Sequence, residues 1–221
     1  MSSKPYRGVA MEGGVARWYD VRVQRERDDY RALAGRIATT LPPAARVLEV
    51  APGPGYLAIE LAKLGNYRID GLDISQTFVD IASRNAERER VEVAFRHGNV
   101  ADMPFPDATF DSVVCRAAFQ NFSQPEKALR EMRRVLKVGG AAVLIELRKD
   151  VSSQALNEHL RRIALGLREW LTNQVLFRLL LVRRAYTEEE LRRFASAAGF
   201  SSAEIRKEPV FLEAWLSNVP R

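Results

Sequence analysis

Short apolar runs alternate with amphipathic stretches through the middle of the chain. Residues 46–50, 67–73, 91–97, 110–115 and 141–147 are rich in Val, Ile, Leu and Phe and predict strands. Between them, 56–64, 76–89 and 124–136 repeat apolar residues at three- and four-residue intervals and predict helices, while the segment after His97 predicts a loop. Strand and helix in alternation imply parallel strands joined by crossovers on both faces of one sheet. Such sheets take ligands beyond the carboxyl ends of their strands, at the switch point.

The flanks are patterned differently. Residues 1–20 carry Gly8, Gly13 and Gly14 among Tyr6, Trp18 and Tyr19, fix no regular element, and read as an arm. From 20 to 41, the spacing of Val23, Tyr30, Leu33, Ile37 and Leu41 predicts one helix ended by Pro42 and Pro43. Between 152 and 184, Leu156, Leu160, Ile163, Leu167 and Leu171 recur at helical spacing and "VLFRLLLV" follows, so a helical insertion is expected. Thr187 and Glu190 have capping-box spacing for a helix stopping at Gly199, and 203–207 and 210–215 read as short strands. The chain then divides into an arm and helix (1–44), a core (45–151), a helical lid (152–186) and a helix with strands that completes the core (187–221).

Composition bounds this picture. With 221 residues and 47% hydrophobic content, the chain can bury one sizeable core. One cysteine, Cys115, excludes an intramolecular disulfide, and without a basic-then-apolar leader pattern a cytoplasmic location is expected. Thirty-four basic against 28 acidic residues give a net charge of +6, which suits nucleic acid, an anionic membrane surface, an acidic small molecule or a plain solvated exterior. Part of the excess is local. From His159 to Arg184 there are six arginines (161, 162, 168, 178, 183 and 184) against Glu169 alone. The same stretch has more apolar residues, among them Trp170, Val175, Phe177 and Leu180, than docking of one helix needs. That surplus suggests a pocket wall, a homodimer surface or peripheral membrane contact, since "VLFRLLLV" is too short to span a bilayer.

The chemistry concentrates in "RVLEVAPGPGYLAIELAKLG". Gly53, Gly55 and Ala58 fit the G-x-G-x-x-A dinucleotide fingerprint, and Asp73 follows where a ribose-binding acid is expected. Pro52 and Pro54, however, remove two N–H donors that a pyrophosphate would use, and Glu49 adds negative charge at the strand end. A cofactor without phosphates and with a positive centre suits this loop better.

S-adenosyl-L-methionine is such a cofactor, and here the residues resemble a known family. "VLEVAPGPGYLAIELAK" and "IDGLDIS" resemble the first two motifs of class I SAM-dependent methyltransferases. "HGNVADMPFPDATFDSVVC" and "ALREMRRVLKVGGAAVLIE" resemble later segments of the ubiquinone/menaquinone-biosynthesis-like small-molecule group. The resemblance implies an α/β fold: a Rossmann-like, doubly wound, mostly parallel sheet with an antiparallel C-terminal strand. It also implies S-adenosyl-L-methionine as cofactor, S-adenosyl-L-homocysteine as product, no metal and no nucleic acid. Carried over by position, Glu49 is the acid at the end of the first strand, Gly53 and Gly55 let the backbone approach the methionine part, and Asp73 takes the ribose hydroxyls. Ile74, Asn99 and Val100 fall in the adenine segment, with Asn99 where the family has Asp, while Arg116 and Tyr19 complete the implied cofactor set. Ala51 replaces the first loop glycine, which is tolerable if it keeps a negative φ.

Methyl transfer from a sulfonium is an in-line displacement, so the protein chiefly aligns the acceptor and, where needed, takes its proton. The sequence leaves the catalytic group open among His159, Glu146, Gln120 and Asn121, the last two standing where the family often has a His pair. The expected acceptor is a small apolar or aromatic molecule methylated on O, N or C. The competing readings are a SAM-fold binding protein without activity and a nucleic-acid methyltransferase, though no N/D-P-P-Y/F/W motif follows the fourth strand.

Overall fold

A computed structural model describes residues 6, 7, 11–164 and 166–219; Gly8 of the expected arm lies outside them, as do the side chains of Arg168, Glu169 and Leu180 counted above. Seven strands form one sheet: β1 (Arg46–Val50), β2 (Arg68–Asp73), β3 (Ala94–His97), β4 (Phe110–Arg116), β5 (Leu136–Leu147), β6 (Ser202–Lys207) and β7 (Phe211–Ser217). Their order is β3-β2-β1-β4-β5-β7-β6, with β1 to β5 parallel and β7 antiparallel to both β5 and β6. The order reverses between β1 and β4, so both chains leave the sheet there on the same rim and open a crevice.

Alternation along the strands explains the layers. On one face Leu48, Val50, Val113 and Cys115 pack with Leu129 and Met132 of α5 (Pro125–Val135) and Leu191 of the C-terminal helix. On the other, Val47, Ile69 and Val114 meet Leu33 and Ile37 of α2 (Arg27–Ala38) and Leu57 and Leu61 of α3 (Tyr56–Ala62). Burial of each such side chain stabilises the fold by about 1.5 to 3 kcal/mol. The helix α4 (Gln76–Glu89) starts where the Ser75 hydroxyl accepts the Phe78 N–H, satisfying one of the first-turn donors.

Two expectations need correction. The arm is not irregular throughout: Gly13–Val23 forms α1, followed by a 3-10 turn at Gln24–Glu26, so the single helix expected over 20–41 is two helices with a kink. Helix α1 is held by docking rather than by a strong apolar period. The Asp20 carboxylate accepts the Tyr56 hydroxyl at 2.7 Å and the Asn85 side-chain amide at 3.3 Å, while the Ser75 hydroxyl donates to the Met11 carbonyl at 2.6 Å. The fifth strand also begins earlier than the apolar run, at Leu136, where it pairs with Phe110 before a bulge.

The 152–184 stretch is helical, as α6 (Ser153–Ile163), α7 (Leu167–Leu176), a π turn (Phe177–Leu181) and α8 (Val182–Arg184). Thr187 and Glu190 make the expected reciprocal capping box on α9 (Glu188–Ala197), and Gly199 beyond it takes φ +86°. No helix among the described residues is long and apolar enough to cross a membrane.

Candidate functional site

The ends of β1, β2, β4 and β5 carry Glu49, Asp73, Arg116 and Glu146 onto one rim. Glu49 is buried, its Oε2 accepts the Ala58 N–H at 2.8 Å from the first turn of α3, and burial pushes its pKa up to about 8. A carboxylate at this N-terminal turn also faces the positive end of the α3 dipole. Asp73 is buried too: Oδ2 accepts the Gly53 N–H at 3.0 Å and Oδ1 the Ser75 N–H at 2.8 Å, while burial raises its pKa to about 6. Asp73 therefore fixes the glycine loop relative to the following loop, and each oxygen keeps a further acceptor site.

The loop glycines divide their work. Gly53 has φ +54°, and a Cβ there would meet nothing nearer than ring carbons of Phe78 and Tyr19 at 3.9 Å among the described residues. It leaves space beneath those two rings, which meet edge to face at 5.8 Å. Gly55 instead answers to packing. At φ +80°, an added Cβ would lie 2.6 Å from Phe95 and 2.9 Å from Ala82. Ala51 departs from expectation, with φ +53° rather than negative: its N–H still donates to the Leu72 carbonyl at 2.8 Å, and the left-handed angle then turns the chain out of β1 into the glycine loop. A left-handed alanine costs about 1 to 2 kcal/mol.

The residues that the resemblance assigns to adenine lie just beyond the ends of β2 and β3. Ile74 presents its carbonyl to the His97 ring nitrogen at 3.0 Å, and Val100 is buried. Asn99 uses its side-chain oxygen within its own loop, accepting the Ala101 N–H at 2.9 Å.

Above the rim, the Arg116 guanidinium sits 4.1 Å over the Tyr30 ring and 3.4 Å from the Glu26 carboxylate. From the sequence neither stood out as a site residue: Tyr30 entered only as part of a helix's apolar spacing, and Glu26 carried no signal. Tyr19 lies on α1 rather than in an irregular arm, and burial raises its hydroxyl pKa. Trp18 on the same helix is 55% exposed and does not close over the site. Tyr6 pairs with Phe122, and the Arg7 N–H reaches the Asn121 carbonyl at 2.7 Å, so the N-terminal segment crosses the turn after β4.

Glu146 stands out among the catalytic candidates. Its Oε1 accepts the Ala118 and Phe119 N–H groups at 2.9 and 2.8 Å, its buried Oε2 has no partner among the described residues, and burial raises its pKa to about 7. Gln120, in the same turn, is also buried, with its side-chain oxygen unpartnered among the described residues. Asn121 offers only its backbone to the contacts described. His159 packs edge-on against Phe177 and Phe211, and burial lowers its pKa to about 4, so it is neutral and weakly basic at pH 7. Beside Glu26 a cavity of ≈ 340 Å³ opens between the α1–α2 junction and α6, lined also by Arg22, Arg25, Asp29 and Arg162. Among the described residues no group of three or more His, Cys, Asp or Glu side chains is placed to hold a metal ion.

These features fit S-adenosyl-L-methionine. Open space over Gly53, a spare acceptor on each Asp73 oxygen and buried carboxylates suit a ribose diol and a cationic amino-acid end. Two prolines in the loop leave little for a pyrophosphate.

Comparison with known proteins agrees. Residues 48–144 match the family model described as a methyltransferase domain. The demethylmenaquinone methyltransferase of Deinococcus radiodurans is 40% identical over 102 residues, covering 46% of this chain and 42% of that protein. The protein of the same name from Mycobacterium bovis is 31% identical over 160 residues, covering 70% of this chain and 65% of its own length. A solved structure of a candidate S-adenosyl-L-methionine-dependent methyltransferase from Methanococcus maripaludis superposes with a TM-score of 0.76 and 23% identity, covering 100% of this chain and 98% of that one. The chain thus spans between two fifths and two thirds of the length of these curated relatives. Residues 48–144 thus resemble the methyltransferase-domain family, and the whole chain has the Rossmann-like fold of the Methanococcus maripaludis structure.

Proposed function

We propose that this protein methylates a small, apolar, aromatic acceptor of the demethylmenaquinone type, using S-adenosyl-L-methionine. The observation that carries the reading is the rim of buried acids, Glu49, Asp73 and Glu146, set around a loop built for close approach at Gly53. The relatives' names supply the acceptor class. The cofactor supplies an electrophilic methyl group on a sulfonium.

This chain's residues then have distinct tasks. Asp73 accepts the ribose hydroxyls, Glu49 in its ionised form pairs with the amino end, and the Tyr19 and Phe78 rings exclude water above Gly53. A hydroquinone ring becomes a carbon nucleophile when its hydroxyl gives up a proton. Glu146 is the proton acceptor: the Ala118 and Phe119 N–H groups hold one oxygen, and the second, buried and without a partner among the described residues, is left to take the proton. Bound S-adenosyl-L-methionine would supply the methyl to that ring carbon and be left as the thioether, and the carbon's hydrogen would be lost as a proton. The α6–α8 helices act as a lid over the acceptor, with His159 packed in their base rather than acting as the base of the reaction.

The test is methyl transfer from methyl-labelled S-adenosyl-L-methionine to reduced demethylmenaquinone, comparing wild type with Glu146→Gln. Gln keeps an oxygen for the two N–H groups but cannot take a proton. Labelled product from wild type, with kcat/KM rising through about pH 7, and a 10²- to 10⁴-fold loss in the variant are expected. Unimpaired turnover by Glu146→Gln would remove Glu146 from the mechanism, and no product with any naphthohydroquinone would remove the acceptor class.

A further inference from the structure

Helix α7 and its continuation through the π turn bury one side and leave the other bare. On the inner side Phe177, Leu181 and Val182 pack against a cluster formed by Leu147, Ala185 and Val210. On the outer side Leu167, Leu171, Val175 and Leu179 are 72%, 50%, 58% and 50% exposed. These four residues are spaced by four. On a regular helix of 3.6 residues per turn a four-residue repeat drifts by about 40° per step. The wider π turn at Phe177–Leu181 unwinds part of that drift, so the sequence is arranged to keep a straight apolar stripe facing outwards.

The stripe has cationic ends. The next position in the series, Arg183, is exposed and has no ion-pair partner among the described residues. At the other end exposed Arg161 lines, with Ala164, Leu167 and Trp170, an open groove of ≈ 490 Å³. An aromatic ring joins it from α1: Arg22 lies over the exposed Trp18 ring at 5.8 Å and donates to the Asn173 side-chain oxygen of α7 at 2.5 Å. Val15 and Val21 of α1 are exposed as well.

We propose that this face docks on an anionic lipid bilayer, with the α7 stripe and Trp18 at the headgroup–acyl boundary and Arg161 and Arg183 on lipid phosphates. Charge decides the occupant. A second copy of the chain would bring the same arginines against each other, whereas an anionic surface neutralises both ends. An aliphatic stripe flanked by Arg with a Trp beside it is the pattern of a helix lying in an interface. The inference stands independently of methyl transfer, and it gives the lid a route to an acceptor dissolved in lipid.

Vesicle flotation tests it, with phosphatidylcholine vesicles against vesicles containing phosphatidylglycerol. Wild type is expected to float with the anionic vesicles and to release at high salt. Leu171→Glu with Val175→Glu is expected to weaken that binding at least tenfold, and Arg183→Gln, which leaves the stripe intact, several-fold, each with unchanged calorimetric affinity for S-adenosyl-L-homocysteine. No binding by wild type, equal binding by the double variant, or a concentration-dependent dimer that the double variant dissociates would overturn the proposal. None of these results would bear on the methylation assay.

Discussion

Burial of Glu49 makes cofactor binding a proton-coupled event. In the free protein burial raises its pKa to about 8, so the site is mostly protonated at neutral pH. Pairing with a cationic amino group requires the ionised form, and the proton must leave on binding. The ionised fraction rises from roughly 1% at pH 6 to roughly a quarter at pH 7.5, so affinity should increase about 20-fold across that window, about 2 kcal/mol. The cofactor's own α-amino group stays mostly charged there. Asp73, at about 6, adds about twofold more. Calorimetry in buffers of different ionisation enthalpy should show release of about one proton at pH 6.5. Glu49→Gln should abolish that release and most of the pH slope. The same shift acts on stability with the opposite sign: the folded pKa lies above the unfolded value of about 4.3, so ionisation opposes folding. Stability of the unliganded protein should therefore fall as pH rises from about 4.5 to about 8, and Glu49→Gln should flatten the fall. A pH-independent affinity, or an equal slope in the variant, would show that Glu49 does not ionise on cofactor binding.

Further outcomes follow from the same geometry. Asp73→Ala should weaken S-adenosyl-L-methionine and S-adenosyl-L-homocysteine alike, by roughly 1.5 to 3 kcal/mol per lost charge-assisted bond, and lower the melting temperature because the Gly53 and Ser75 N–H groups lose their acceptor; unchanged affinity in a folded variant would disprove the ribose role. Gly55→Ala should cost more than about 2 kcal/mol in denaturant unfolding, combining a left-handed alanine with the 2.6 Å approach to Phe95. Ala51→Gly, relieving the left-handed alanine, should be neutral or stabilising by up to about 1 kcal/mol. Asn99→Asp should tighten cofactor binding by about 1 kcal/mol through a charged acceptor for the adenine amino group; no gain would mean that the Ala101 N–H keeps that oxygen occupied.

What the sequence made legible was local. The strands β1, β2 and β4, the helix α4 and the capping box of α9 each carry their own signal within a few residues, and each formed where that signal lies. Helix α1 was not legible, because its outer face exposes Val15, Trp18 and Val21 and its inner face buries only Ala16 and Val23. Its position depends on Tyr56, Ser75 and Asn85, which are distant in sequence. The left-handed Ala51 was hidden too, as alanine carries no local signal for a positive φ and the angle belongs to the turn by which the chain leaves β1. In the site, the motif acids Glu49 and Asp73 could be named in advance. The character of Glu146 could not, since both its N–H partners come from a turn 27 and 28 residues earlier and its free oxygen is visible only in three dimensions.

A crystal structure of the protein grown with S-adenosyl-L-homocysteine decides whether the β1–β2–β4–β5 rim holds S-adenosyl-L-methionine. The ribose hydroxyls should lie on Asp73, the amino group on the Glu49 side, the homocysteine chain over Gly53 beneath Tyr19 and Phe78, and the adenine between Ile74 and Val100. A protein that takes up no ligand at millimolar concentration, or one that holds it away from Gly53 and Asp73, would contradict this placement.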